Sequence, residues 1–215
     1  MDFDTDIDFW ADDSFCSVKK DTTSSGVEET EDKMLRSFKQ KTMQVLSKIE
    51  ELGLPKKGEQ IRLVTKRTFN TVAFLKYIAD KELITKLNLV VYSINYEAAK
   101  VISDLINQRR ILKAEILISN LRNKAHREKE RLTNELFRDN PHVDLFFCSS
   151  HAKIMNFETE KGNYYNVEGS GNLSYNSRIE NYIIDNDKEI FDFTNNWFKE
   201  IRDFLRGRKE YAEQS

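Results

Sequence analysis

Residues 143–155 read VDLFFCSSHAKIM, and residues 167–182 read VEGSGNLSYNSRIENY. The first piece opens on an apolar run, Val143–Cys148, of strand composition and carries His151 and Lys153 just beyond it. Residues two apart on a strand project from one face, so the spacing predicts an imidazole and an ammonium side by side at a strand's end. The second piece sets Ser170 between Gly169 and Gly171, with Asn172 next. Small residues let backbone N–H groups approach an anion closely, and a hydroxyl and a side-chain amide add neutral donors. Glu180 follows on a predicted strand, Ile179–Ile184, where a carboxylate suits holding the His151 ring in one tautomer. Lysine neutralises non-bridging phosphoryl oxygens, and imidazole serves as nucleophile or acid, so the two pieces together suit phosphodiester chemistry. Taken singly, each has an ordinary reading as a surface His-x-Lys and a polar turn.

Upstream, strand and helix patterns alternate. Leu35, Phe38, Thr42, Val45, Leu46, Ile49 and Leu52 follow three-and-four spacing, which predicts a helix ended by Gly53 and Pro55. A strand is expected at Ile61–Thr65, a helix over Phe69–Lys81, and a strand buried on both sides at Leu87–Ile94. Asn95 is placed to cap a helix striped by Ala98, Val101, Ile102, Leu105 and Ile106. A short strand at Ala114–Ser119 and a charged helix over Arg127–Arg138 precede the opening piece. After it, the turn at Glu160–Asn163 leads to a strand ending at Gly169, and Lys188–Gly207 closes the pattern as a helix. The order predicts an α/β sandwich, a mixed sheet flanked by helices, with no internal repeat and no second domain.

The net charge of −2 conceals a split. Residues 1–32 hold eight Asp and three Glu against two Lys, a net −9, so residues 33–215 carry +7. A basic body suits a polyanion partner, although surface cations also serve solubility alone. The acidic segment has no regular apolar period and is expected to be a disordered arm. Its Phe3, Ile7, Phe9, Trp10 and Phe15 suit docking on a protein partner or folding back over a basic groove of its own chain. Asp2, Asp4, Asp6 and Asp8 alternate like the start of a calcium loop, but the required Gly and closing Glu are missing, and no metal site is expected. Two distant cysteines, Cys16 and Cys148, without metal-ligand spacing, and a start that is acidic instead of basic-then-apolar point to a reducing, cytoplasmic setting.

His151 and Lys153, followed by Gly169, Ser170 and Asn172, resemble the half-site motif of the phospholipase D superfamily, and Glu180 resembles its downstream glutamate. The resemblance implies a phospholipase D-like sandwich over residues 58–207, preceded by the arm (1–32) and an N-terminal helix with linker (33–57) and followed by a tail (208–215). It departs from the motif at Glu158, where the family has Asp, in a longer interval from His151 to Gly169, and in a shorter one from Asn172 to Glu180. It implies a metal- and cofactor-free phosphodiesterase acting through a phosphohistidine. With one His-x-Lys per chain, the site is expected to be completed in a homodimer. Nucleic acid is the expected substrate, guided by Arg122 and Lys124, two residues that equally suit structural ion pairs. Phospholipid is less favoured because no amphipathic membrane helix is seen. Small proteins with one half-site imply a bacterial or phage setting. His126 and His142 read as ordinary loop or helix-end residues. The alternative is a non-catalytic binding or assembly protein on the same fold.

Overall fold

Apolar side chains on neighbouring strands fall into register across an eight-stranded mixed sheet. The computed structural model describes residues 40–46, 53–65, 71–119, 124–174 and 179–213, all inside one unit, Ser37–Ser215. The acidic arm, with its aromatic residues, lies outside the described residues. In chain order the elements are β1 (Gln40–Leu46), β2 (Glu59–Thr65), α1 (Val72–Lys81), β3 (Ile84–Val91), α2 (Tyr96–Asn107), β4 (Ala114–Ser119), α3 (Lys124–Phe137), β5 (Val143–Cys148), β6 (Ile154–Thr159), β7 (Tyr164–Gly169), β8 (Glu180–Asn186) and α4 (Lys188–Glu213). Across the sheet the order is β1-β2-β8-β7-β6-β3-β4-β5. Strands β6 and β8 run against all the others. One edge of the sheet therefore gathers the ends of β2, β3, β4, β5 and β7 and the starts of β6 and β8.

The two faces differ in chemistry. Leu87, Leu89, Ile116, Phe157, Val167 and Ile184 pack with Phe74, Leu75 and Ile78 of α1 and Ala98 and Ile102 of α2. Asn95 caps α2, its side chain accepting from Ala98 N at 2.8 Å. On the opposite face a polar row crosses six strands in register: Gln60, Asp185, Asn166, Asn156, Asn88 and Glu115, all buried. A buried polar group is costly unless hydrogen-bonded. α4 supplies most of the partners: Asn156 donates to Phe191 O at 3.0 Å, Asn166 to Thr194 Oγ1 at 3.1 Å, and Asn88 to Asn195 Oδ1 at 2.8 Å. Arg202 reaches the Glu115 carboxylate at 2.8 Å. Phe198 fixes the same helix over Val90, Leu117 and Phe146.

Three expectations need correction. Residues 40–46, read as part of an N-terminal helix, form β1, paired in parallel with β2 from Gln40↔Glu59 to Leu46↔Thr65. An adjacent strand offers backbone partners that local periodicity does not register, and tertiary context overrides a weak helical stripe. The closing helix does not stop at Gly207 before a tail but continues to Glu213. A single glycine within a helix costs only about 1 kcal/mol, and the following residues are helix formers. Finally, the apolar strand 143–148 does not run on through His151. It ends at Cys148, and β6 begins at Ile154, three strand positions away beside β3. That displacement is about 14 Å, and the six steps between reach at most about 20 Å, so the connection spans it with no long loop.

Asp185 lies in the polar row with Gln60 Nε2 2.7 Å from its Oδ1. Burial pushes its carboxyl up to about 6, only partly offset by the Gln60 hydrogen bond. A pKa raised on folding means that the folded state disfavours the charged form. The cost is complete above pH 6 and vanishes below the unfolded value near 4. Asp185→Asn, which keeps an acceptor for Gln60, is expected to stabilise the protein by about 2 kcal/mol at pH 7.5 and by nothing below pH 4. Urea denaturation at both pH values checks it.

Candidate active site at one edge of the sheet

The connection 149–153 crosses the ends of β4 and β3, and this places the His-x-Lys pair. Ser150 N donates to Ser119 Oγ at the end of β4 (3.4 Å), and Ser150 Oγ accepts from Ala152 N at 3.2 Å. His151 is exposed at the middle of the crossing, and Lys153 is half-buried at the start of β6. The two are not successive same-face residues of one strand, as their spacing suggested, yet they do meet. Lys153 Nζ lies 3.4 Å from His151 Nδ1 and donates to His151 O at 2.9 Å. Both lean on Tyr92, just past β3: its ring centroid is 4.6 Å from the imidazole centroid and 5.5 Å from Lys153 Nζ. Partial burial draws the Lys153 pKa below the usual lysine value, against an opposing pull from the Glu180 carboxylate.

The glycine-flanked turn leaves β7 at the same edge. Gly169 N approaches Lys153 O at 3.4 Å, which brings the turn beside the His-x-Lys segment. Ser170 is exposed; its hydroxyl donates to the Glu180 carboxylate and accepts from Asn181 N at 3.1 Å. Asn172 Oδ1 accepts from Ser93 N at 3.2 Å, tying the turn to the segment after β3, and Leu173 O accepts from Asn95 N at 2.8 Å. With its oxygen engaged, Asn172 has its Nδ2 hydrogens to offer an anion. Glu180 opens β8 opposite Thr65. The carboxylate expected to orient the imidazole is thus the acceptor for Ser170, and the group beside Nδ1 is the Lys153 ammonium.

Close packing accounts for both glycines. A Cβ on Gly169 would stand 2.4 Å from Asn181 O and from the Tyr182 ring; one on Gly171 would stand 1.8 Å from Tyr182 Oη and 2.6 Å from Thr71 Oγ1. Tyr182 and Thr71 are hydrogen-bonded at 2.6 Å, and burial raises the phenol to about 12. Beneath the turn lies a void of only about 10 Å³, lined by Thr71, Lys153, Met155, Gly169, Gly171 and Tyr182. That is room for about one water.

Other sequence candidates fall elsewhere. Glu158, at the position where the motif has Asp, sits five residues along β6 from Lys153, about 16 Å away by strand rise. His142 precedes β5 at the opposite edge and lines a cleft of about 420 Å³ with Arg109, Glu135 and Asp139. Arg122 lies outside the described residues, as do the side chains of Lys124 and His126. Among the described residues no group of three His, Cys, Asp or Glu is placed to hold a metal ion. Tyr92, Ser93, Thr71 and Tyr182 were not singled out from sequence, because their roles arise from strands remote in the chain.

Gly171→Ala is expected to destabilise the fold by about 3 kcal/mol, as overpacking a closed site does. Combining it with Tyr182→Phe, which removes the clashing oxygen, should recover part of that loss. Chemical denaturation of the single and double variants measures both.

No family model and no curated protein matches the chain. Among solved structures it is similar to a phospholipase D family member, Nuc, from Salmonella typhimurium, at 14% identity and a TM-score of 0.47 over 66% of this chain and 93% of that one. It is also similar to phosphatidylserine synthase from Haemophilus influenzae, at 13% identity and a TM-score of 0.49, over 66% of this chain and 38% of the synthase. A third likeness is to polyphosphate kinase from Porphyromonas gingivalis, at 15% identity and a TM-score of 0.45, over 63% of this chain and 24% of the kinase. The chain thus spans about a quarter of that kinase's length. Likeness at this level is one of outline and assigns no role to any residue of this chain.

Proposed function

We propose that this chain is a phosphodiesterase acting on nucleic acid, with His151 as the attacking group and Lys153 as the anchor for the phosphoryl oxygens. The observation that carries the reading is the convergence at one sheet edge of an exposed imidazole, a half-buried ammonium and the Ser170–Glu180 pair. Three strand ends supply them: the start of β6, the end of β7 and the start of β8. The ammonium has only protons to offer, so while it faces Nδ1 the neutral ring keeps its proton on Nε2. When an incoming phosphate draws Lys153 Nζ to itself, water gives Nδ1 a proton and takes the one on Nε2, and the Nε2 lone pair becomes available for attack.

In the proposed reaction Nε2 bonds to phosphorus and the P–O bond to the leaving group breaks. The leaving oxygen needs a proton from a second imidazole on the far side. His142 stands at the opposite edge of the sheet and does not serve. We assign the second role to His151 of the partner subunit in a two-fold dimer. That imidazole then takes a proton from water, whose oxygen attacks phosphorus as the P–N bond breaks and His151 is restored.

Nucleic acid is favoured as substrate by charge. Residues 33–215 carry +7, and three segments that follow described strand ends or turns at this edge, 66–70, 120–123 and 175–178, contain Lys66, Arg67, Arg122 and Arg178 and no Asp or Glu. No helix among the described residues is long and apolar enough to cross a membrane. One observation favours a second reading, a non-catalytic binding or assembly protein: Ser170 Oγ and Asn172 Oδ1 are both engaged within the chain.

Cleavage of single- or double-stranded DNA in the presence of EDTA is the expected outcome, with a loss of at least a thousandfold in His151→Ala. Equal rates in the two proteins would refute His151 as the nucleophile, and no cleavage in the wild type would favour the binding reading. Light scattering is expected to show a dimer at micromolar concentration, and a monomer would refute the composite site.

A further inference from the structure

We propose that Tyr92 is a positioning residue of this site: its ring holds the exposed His151 imidazole and the Lys153 ammonium against one surface and keeps them together. The role in turnover rests on the phosphodiesterase reading above; the contact itself does not. An exposed histidine in a connection samples several rotamers, and each one lost from the attacking geometry lowers the reactive fraction. Here the imidazole lies against Tyr92 with centroids 4.6 Å apart and planes inclined at 56°, and Lys153 Nζ is 5.5 Å from the same centroid. Aromatic pairs favour such tilted contacts, and a ring face attracts a cation.

The position of Tyr92 gives the ring its purchase. It follows β3 directly, the strand beside which β6 begins, through the pair Val90↔Ile154. The next residue, Ser93, is fixed by its N–H to Asn172 Oδ1, and Ile94 is bridged to Leu173. The half-buried ring is therefore mounted between two clamped backbones, whereas His151 is mounted on a connection. Tyr92 supplies no group to the reacting phosphorus in this scheme. Its aromatic face is the working part, so the hydroxyl is dispensable.

The test compares Tyr92→Phe and Tyr92→Leu, with Tyr92→Met as a second ring-free variant should Tyr92→Leu not fold. Toward bis(p-nitrophenyl) phosphate, the ring-free variant is expected to lose about tenfold in kcat with KM within threefold, and Tyr92→Phe to stay within threefold in both. A ring-free variant that keeps kcat, one that raises KM alone, or a Phe variant as impaired as the ring-free one would each overturn the proposal. An arm independent of turnover is carbon relaxation of the His151 Cε1–H in substrate-free protein, assigned through His151→Ala. The ring is expected to be rigid in wild type and Tyr92→Phe and mobile on the nanosecond scale without the Tyr92 ring. A rigid imidazole in the ring-free variant overturns the proposal even if the wild type cleaves. Should the wild type cleave nothing, the phosphodiesterase reading fails and this arm alone decides Tyr92.

Discussion

The entry of β6 into the sheet beside β3, antiparallel to it, governs the arrangement of everything at the candidate site. β5 is the outer strand, so the chain must travel back over the ends of β4 and β3 within residues 149–153. Within this crossing Ala152 packs under α4 against the cluster of Val90, Leu117, Phe146 and Phe198, while His151 is exposed. The same antiparallel entry turns β7 back, so that its end, carrying Gly169 and Ser170, returns to the edge from which β6 departed. β8 then starts there, with Glu180 beside the turn. Residues nearly thirty positions apart meet because two reversals occur in a sheet whose other strands all run the opposite way.

The two faces divide the work. Packing by α1 and α2 is apolar and general, whereas α4 is held by a row of amides and carboxylates whose hydrogen bonds accept one position along the helix. Non-directional burial supplies most of the driving force for folding. Directional partners such as Asn156 to Phe191 O and Arg202 to Glu115 decide the register in which the helix docks. The cost is visible in the same row: the Asn88 and Asn166 side-chain oxygens are buried without a hydrogen-bond partner among the described residues, and Asp185 is held at a raised pKa.

At the edge itself, the residues of the candidate site also carry structural duties. Ser170 and Asn172, read from sequence as neutral donors for an anion, bind the turn to β8 and to the segment after β3. Gly169 and Gly171 are small because Tyr182 and Thr71 stand against them. A motif read as an anion cradle is thus held to its residue types by packing as well.

From sequence alone, the alternation of strand and helix and nearly every element from Ile61 to Gly207 were legible, since apolar runs and three-and-four spacing record which side of each element is wet. The Asn95 cap was legible for the same local reason. His151, Lys153, Ser170, Asn172 and Glu180 were also legible as a group, through their residue types and order. What only the tertiary structure decided was pairing: that residues 40–46 join β2, that the strand breaks after Cys148, that Lys153 Nζ lies beside His151 Nδ1, and that Tyr92 stands against both side chains. These depend on which strands become neighbours and in which direction. Strand neighbours are chosen by contacts far apart in the chain, and no local pattern records them.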